Sequence, residues 1–118
     1  MSKELISKAK SHFAGIMSGE MKSFFIEEWD HTFFYKAGTN FKNESKILEL
    51  QNAGKTGDAL VQMIINRCLD KDGKRMFNEH QKAELMNSVD PNVIVKIVNA
   101  LNQDEDDDTI GVEEAAKN

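Results

Sequence analysis

Asp58-Ala-Leu-Val-Gln-Met-Ile-Ile-Asn-Arg-Cys-Leu69 is the stretch whose reading decides the fold. At helical period, Leu60, Val61, Ile64, Ile65, Cys68 and Leu69 cover most of the circumference, and Gln62 and Asn66 leave a narrow polar stripe. A helix apolar on so much of its surface is buried by several neighbours rather than laid on one surface. It is therefore expected to be the central helix of one small core. Thr56 or Asp58 can cap its start, and Asp70-Lys71-Asp72-Gly73 forms the turn that ends it.

The chain on its C-terminal side continues in short helical pieces. Asn78-Glu79-His80-Gln81 has the form of a capping box, with Gln81 at the reciprocal position. It opens a helix through about Asn87 that carries Ala83, Leu85 and Met86. Asp90 as N-cap and Pro91 at the first helical position then start a last helix, to about Asn102, with Val93, Ile94, Ile97, Val98 and Leu101 inward.

On the N-terminal side, Asn43 to Gln51 reads as a short helix capped by Asn43, with Ile47, Leu48 and Leu50 inward. Ser2 to Met17 reads as an amphipathic helix whose apolar face is Leu5, Ile6, Ala9, Phe13, Ile16 and Met17. Between them the character changes. Phe24, Phe25, Ile26, Trp29, Phe33, Phe34 and Tyr35 put seven large residues, six of them aromatic, into twelve positions. That composition favours strand, and Glu28-Trp29-Asp30-His31 makes a turn between two short strands. Phe24-Phe25 and Phe33-Phe34 place aromatics on both faces of the hairpin. Both faces must then be covered. The simpler reading is a core hairpin under the N-terminal helix; the functional one is that a face of Phe24, Phe25, Trp29, Phe33, Phe34 and Tyr35 docks another chain, because exposed aromatic patches mark interaction sites.

The fold class expected is thus α+β: a mainly helical single domain over residues 1–103 with an antiparallel β-hairpin near 22–36, followed by a disordered acidic tail, 104–118. The chain of 118 residues is long enough for a single core and little more. Of its twenty acids and fifteen bases, seven acids and Lys117 lie in residues 104–118, leaving thirteen acids and fourteen bases in the body. The run Asp104 to Asp108 repels itself and has little apolar residue nearby to pack it. A nearly neutral body without a basic stripe argues against a nucleic-acid partner. No apolar run approaches the roughly eighteen residues of a membrane span, and Met-Ser-Lys-Glu-Leu-Ile lacks a signal-peptide layout. A cytoplasmic protein is the simplest expectation.

Several motifs fail on their own chemistry. Gly54-Lys55-Thr56 resembles the end of a phosphate-binding loop, but Glu49 stands where the first glycine is required. Asp70-Lys71-Asp72 resembles the opening of a calcium loop, yet Arg75 occupies the glycine position and Gln81 the place of the final glutamate. His12, His31 and His80 are far apart and lack metal-ligand spacing. Cys68, the only cysteine, lies in an apolar helix rather than an activating environment. No enzymatic activity, cofactor or metal is expected.

Taken in order, Ile65-Asn-Arg-Cys-Leu-Asp-Lys-Asp-Gly-Lys-Arg-Met-Phe77 resembles the tail assembly chaperones of long-tailed, non-contractile bacteriophages, the lambda G-protein type. In them an apolar helix runs into an acidic-Gly-Lys/Arg-aliphatic-Phe segment, a short polar helix and a final apolar helix. Ile26-Glu-Glu-Trp-Asp30 resembles the family's short strand ending in a Trp-Asp turn. The resemblance spans roughly residues 22 to 102; the N-terminal helix and acidic tail lie outside it. It implies a protein of the host cell cytoplasm that keeps the long, hydrophobic tape measure protein soluble during tail tube polymerisation and is absent from the finished virion. It also implies a homo-oligomer and a longer form, made by a minus-one ribosomal frameshift, that recruits the major tail protein. Ala116-Lys117-Asn118 can be encoded GCA-AAA-AAC, which contains a slippery heptamer. Met17, Met21, Met63, Met76 and Met86, in or beside apolar segments, suit adaptable contacts. The alternative is a virion structural connector or tail-completion subunit, which persists in purified particles.

Overall fold

The computed structural model of the chain describes residues 2–103; the expected disordered tail lies outside the described residues. Five helices and one hairpin follow in order: α1 (Ser2–Met17), β1 (Lys22–Ile26), β2 (His31–Tyr35), α2 (Phe41–Asn52), α3 (Thr56–Arg67), α4 (Lys82–Asn87) and α5 (Pro91–Leu101). This is the mainly helical α+β arrangement with a two-stranded antiparallel sheet.

The apolar stretch around Ile64 is the hub. Helix α3 packs against α2, α4 and α5, and Ala59, Val61, Ile64, Ile65 and Cys68 are buried. Val61, Ile64, Ile65 and Cys68 join Ile26, Phe33 and Tyr35 of the hairpin, Leu85 of α4, and Val93, Ile94, Ile97, Val98 and Leu101 of α5 in one core cluster. All five residues expected inward on the last helix are buried. The expected caps there also form: Asp90 accepts from the Asn92 N–H at 2.9 Å, and Asn78 with Gln81 closes a capping box.

Elsewhere local expectations give way to tertiary ones. The central helix stops at Arg67, two residues before the expected Leu69, because Cys68 turns extended (φ −75°, ψ 124°). There Leu69 exchanges backbone hydrogen bonds with Phe34, at 3.0 and 2.8 Å, and a ladder bond competes directly with one more helical turn. Neither Thr56 nor Asp58 caps the start of α3; Lys55 stands at the N-cap without a side-chain bond. Asp58 instead pairs with Lys82 of α4 at 3.4 Å. In α2 the cap is Asn40, whose Oδ1 accepts from the Asn43 N–H at 2.9 Å, and Leu48 is exposed rather than inward. Gln62, assigned to the polar stripe of α3, is 1% exposed. It donates to Asn66 and Glu79 and accepts from Lys82, so α4 and its preceding turn close over it. Helix α1 forms over the expected residues but buries none of its side chains. It therefore does not cover the hairpin, whose inner face rests on the core instead.

Candidate interaction surface

The hairpin contains the six aromatics singled out in the sequence, and its register sorts them. Phe24 pairs with Phe33, Lys22 with Tyr35 and Ile26 with His31 on one face; Phe25 pairs with Thr32 and Ser23 with Phe34 on the other. Paired residues of an antiparallel ladder share a face. The inner face is a ring cluster. Phe33 is buried, with ring centroids of Phe24, Trp29, His31 and Phe77 at 5.6, 6.3, 4.8 and 6.0 Å. Tyr35 is buried beside Phe24 at 5.7 Å, and Trp29 is half-buried on the same cluster.

Trp29 sits in a 3-10 turn, Glu27–Trp29, between the strands. Asp30 closes that turn in the left-handed region at φ 48°, a conformation Asp tolerates better than most residues. The turn begins one residue earlier than expected. Glu28 anchors it to α5 through Lys96 Nζ, 2.9 Å from both carboxylate oxygens; that bond holds the exposed Glu28 carboxyl below its ordinary range.

The outer face is different. Phe25 is 56% exposed and Phe34 half-buried. Of the six aromatics, Phe25 is therefore the exposed ring, while Phe33 and Tyr35 are core. Other large apolar side chains are exposed too: Leu5 and Ile6 on α1, Phe41 and Leu48 on α2, and Val95 on α5. Met86 and Val95 also line an apolar groove of about 320 Å³ with Leu60, Val89 and Ile94, between α3, α4 and α5. The sequence pattern leaves Val95 and Phe41 off the inward faces but does not separate Leu48 from core positions. Ile64 and Leu48 look alike in a helical wheel, and only the packing partners tell them apart.

The chemistry of reactive groups is muted. Burial pushes the Cys68 thiol up to about 12, against a weaker opposing pull from Arg67. Asp70 spends its carboxylate on its own turn, accepting from the backbone N–H of Lys74 at 3.0 Å and of Asp72 at 2.8 Å. The Lys74 bond is the largest cause of its lowered pKa. Among the described residues no group of three His, Cys, Asp or Glu side chains could hold a metal. No helix among them is long and apolar enough to cross a membrane.

Compared with known structures, the chain is similar to the tail assembly chaperone of bacteriophage HK97, with a TM-score of 0.57 over 70% of this chain and 81% of that one, at 16% sequence identity. The two share a fold. No family model matches the sequence, and no curated protein matches it. At 16% identity that fold is formed by a largely different sequence, as expected when a core needs apolar residues of suitable volume more than particular ones.

Proposed function

We propose that this chain is a phage tail assembly chaperone, which binds the tape measure protein in the host cytoplasm and keeps it soluble while the tail tube polymerises. The fold shared with the HK97 tail assembly chaperone carries the reading. The surface supports it physically. A chaperone for a long amphipathic helix needs exposed apolar area that binds without a unique fit, and flexible side chains such as Met86 serve that purpose. The docking surface proposed is the hairpin, through Phe25 with Phe34 on its outer face, backed by the ring cluster of Phe24, Trp29, Phe33 and Tyr35. Several copies along one client multiply weak contacts into avidity, which suits a homo-oligomer. A frameshifted longer form would bring in the major tail protein.

Co-expression with the tape measure protein of the same phage tests this. The wild-type chain should move the client into the soluble fraction, and Phe25→Ser should lower that fraction while the variant itself stays folded. Equal client solubility with and without the chain, or detection of the chain in purified particles by mass spectrometry, would remove the proposal.

A further inference from the structure

Among the described residues, α1 is the one α-helix that buries no side chain. Its apolar face is nonetheless well formed. Leu5, Ile6, Phe13 and Ile16 are exposed on it, and Leu5, Ala9 and Phe13 follow one another at steps of four residues. A helix of 16 residues gains little from its own backbone in water, and most helical stability in proteins comes from packing an amphipathic face. Such a face calls for a counterpart.

The groove between α3, α4 and α5 is shaped for one. Buried or half-buried Leu60, Leu85, Val89 and Ile94 line it, and exposed Met86 and Val95 border it. An amphipathic helix lays anchors spaced by three and four residues into such a groove, and α1 has that spacing. The α1 of the same chain is placed elsewhere. Its Phe13 and Met17 line a cleft with Asn66 and Arg67, at the C-terminal end of α3, whereas the groove opens beside Gly57 and Leu60, at the N-terminal end. Charge agrees with a match between the two surfaces. Helix α1 carries Lys3, Lys8 and Lys10 against Glu4. On the segments next to the groove, 55–61 and 82–96, Asp58 pairs with Lys82 and Lys96 with Glu28, which leaves Glu84 and Asp90 against Lys55. A basic helix thus faces a groove with a small acidic excess.

We propose that the apolar face of α1 in one copy of the chain seats in the α3–α4–α5 groove of a second copy. The contact is heterologous, with one helix and one groove offered by each copy. It goes beyond the chaperone reading and does not depend on it, since it uses neither the hairpin nor a client.

Analytical ultracentrifugation of the full chain provides the test. Wild type should associate with rising concentration beyond the 13.3 kDa of one chain. The double variant Leu5→Ser, Ile6→Ser and, separately, Val95→Glu should each weaken that association at least about tenfold. All three side chains are exposed, so circular dichroism should show the fold retained; Met86→Glu, on the border of the groove, serves as a second groove variant. Mixed in equal amounts, the helix variant and a groove variant should form a pair of one chain each that grows no further, because one contributes an intact groove and the other an intact α1. Pairing of α1 with α1 gives no such complementation. A wild type that stays monomeric at every concentration overturns the proposal, as does undiminished association of the helix variant or of both groove variants, or a mixture that stays monomeric. Client solubility in co-expression reports separately on the chaperone reading.

Discussion

The two faces of the hairpin differ in what they contribute, and a pair of substitutions measures it. Phe33 is 1% exposed and touches four other rings. Truncating such a side chain to alanine loses its transfer free energy and leaves a cavity, together about 3–5 kcal/mol. Part of that is the ring–ring geometry, worth about 0.5–1.5 kcal/mol per pair beyond area. A domain of this size is stable by only about 5–15 kcal/mol, so Phe33→Ala should consume a large share. With a urea slope of about 2 kcal/mol per molar, a loss of about 4 kcal/mol moves the unfolding midpoint down by about 2 M. Phe25, one strand away on the opposite face and 56% exposed, should behave otherwise. Phe25→Ser exchanges a solvated ring for a solvated hydroxyl and should change stability by no more than about 0.5 kcal/mol. Urea titrations of wild type, Phe33→Ala and Phe25→Ser, followed by circular dichroism at low protein concentration, read both effects. Comparable losses for the two variants, or a loss under about 1 kcal/mol for Phe33→Ala, would refute the assignment of faces.

Gln62→Ala should cost about 2 kcal/mol by the same titration, because it removes bonds to the charged Glu79 and Lys82 as well as to Asn66. Asn40→Ala should lower stability by about 1 kcal/mol as a lost N-cap and Asn43→Ala by less, since the Asn43 backbone N–H, not its side chain, makes the capping bond. The Cys68 thiol, buried and raised to about 12, should resist Ellman's reagent at neutral pH and react fully once urea unfolds the chain; rapid native labelling would contradict its place in the core. The lowered pKa of Asp70 sets a sign with pH. Its folded value lies below the unfolded one, so its contribution is complete above the unfolded value and fades as pH falls through the folded one. The gap between the urea midpoints of wild type and Asp70→Ala should therefore be constant near neutrality and close in acid; a gap that widens in acid would reverse the argument.

Much of this molecule was written in local pattern. Helix α1 follows from one run of helical spacing ended by Ser18-Gly19. Asp90-Pro91 and Asn78 to Gln81 carry their capping chemistry within four residues, so no distant partner was needed to place α5 or the capped turn. The inward face of α5 was likewise legible, because Val93, Ile94, Ile97, Val98 and Leu101 share one stripe that leaves Val95 outside it. What sequence could not decide were questions of which partner wins. Asn40 and Asn43 are equally good caps by type, and only the extended backbone at Asn40 selects it. Gln62 reads as solvated until α4 folds across it. Arg67 looks like an ordinary C-terminal base of a helix until the chain beyond β2 and α5 closes round it and buries it on the Lys36 carbonyl and Asn102 Oδ1. The hairpin aromatics alternate too poorly to name an inner face, and β2's pairing with Leu69, together with α3 and α5 beneath it, settles that Phe33 is core and Phe25 is not. Local hydrogen bonds and periodicity act within a few residues and are therefore present in the sequence. Burial is a property of surfaces that meet only when distant segments close on one another, and it belongs to the tertiary structure alone.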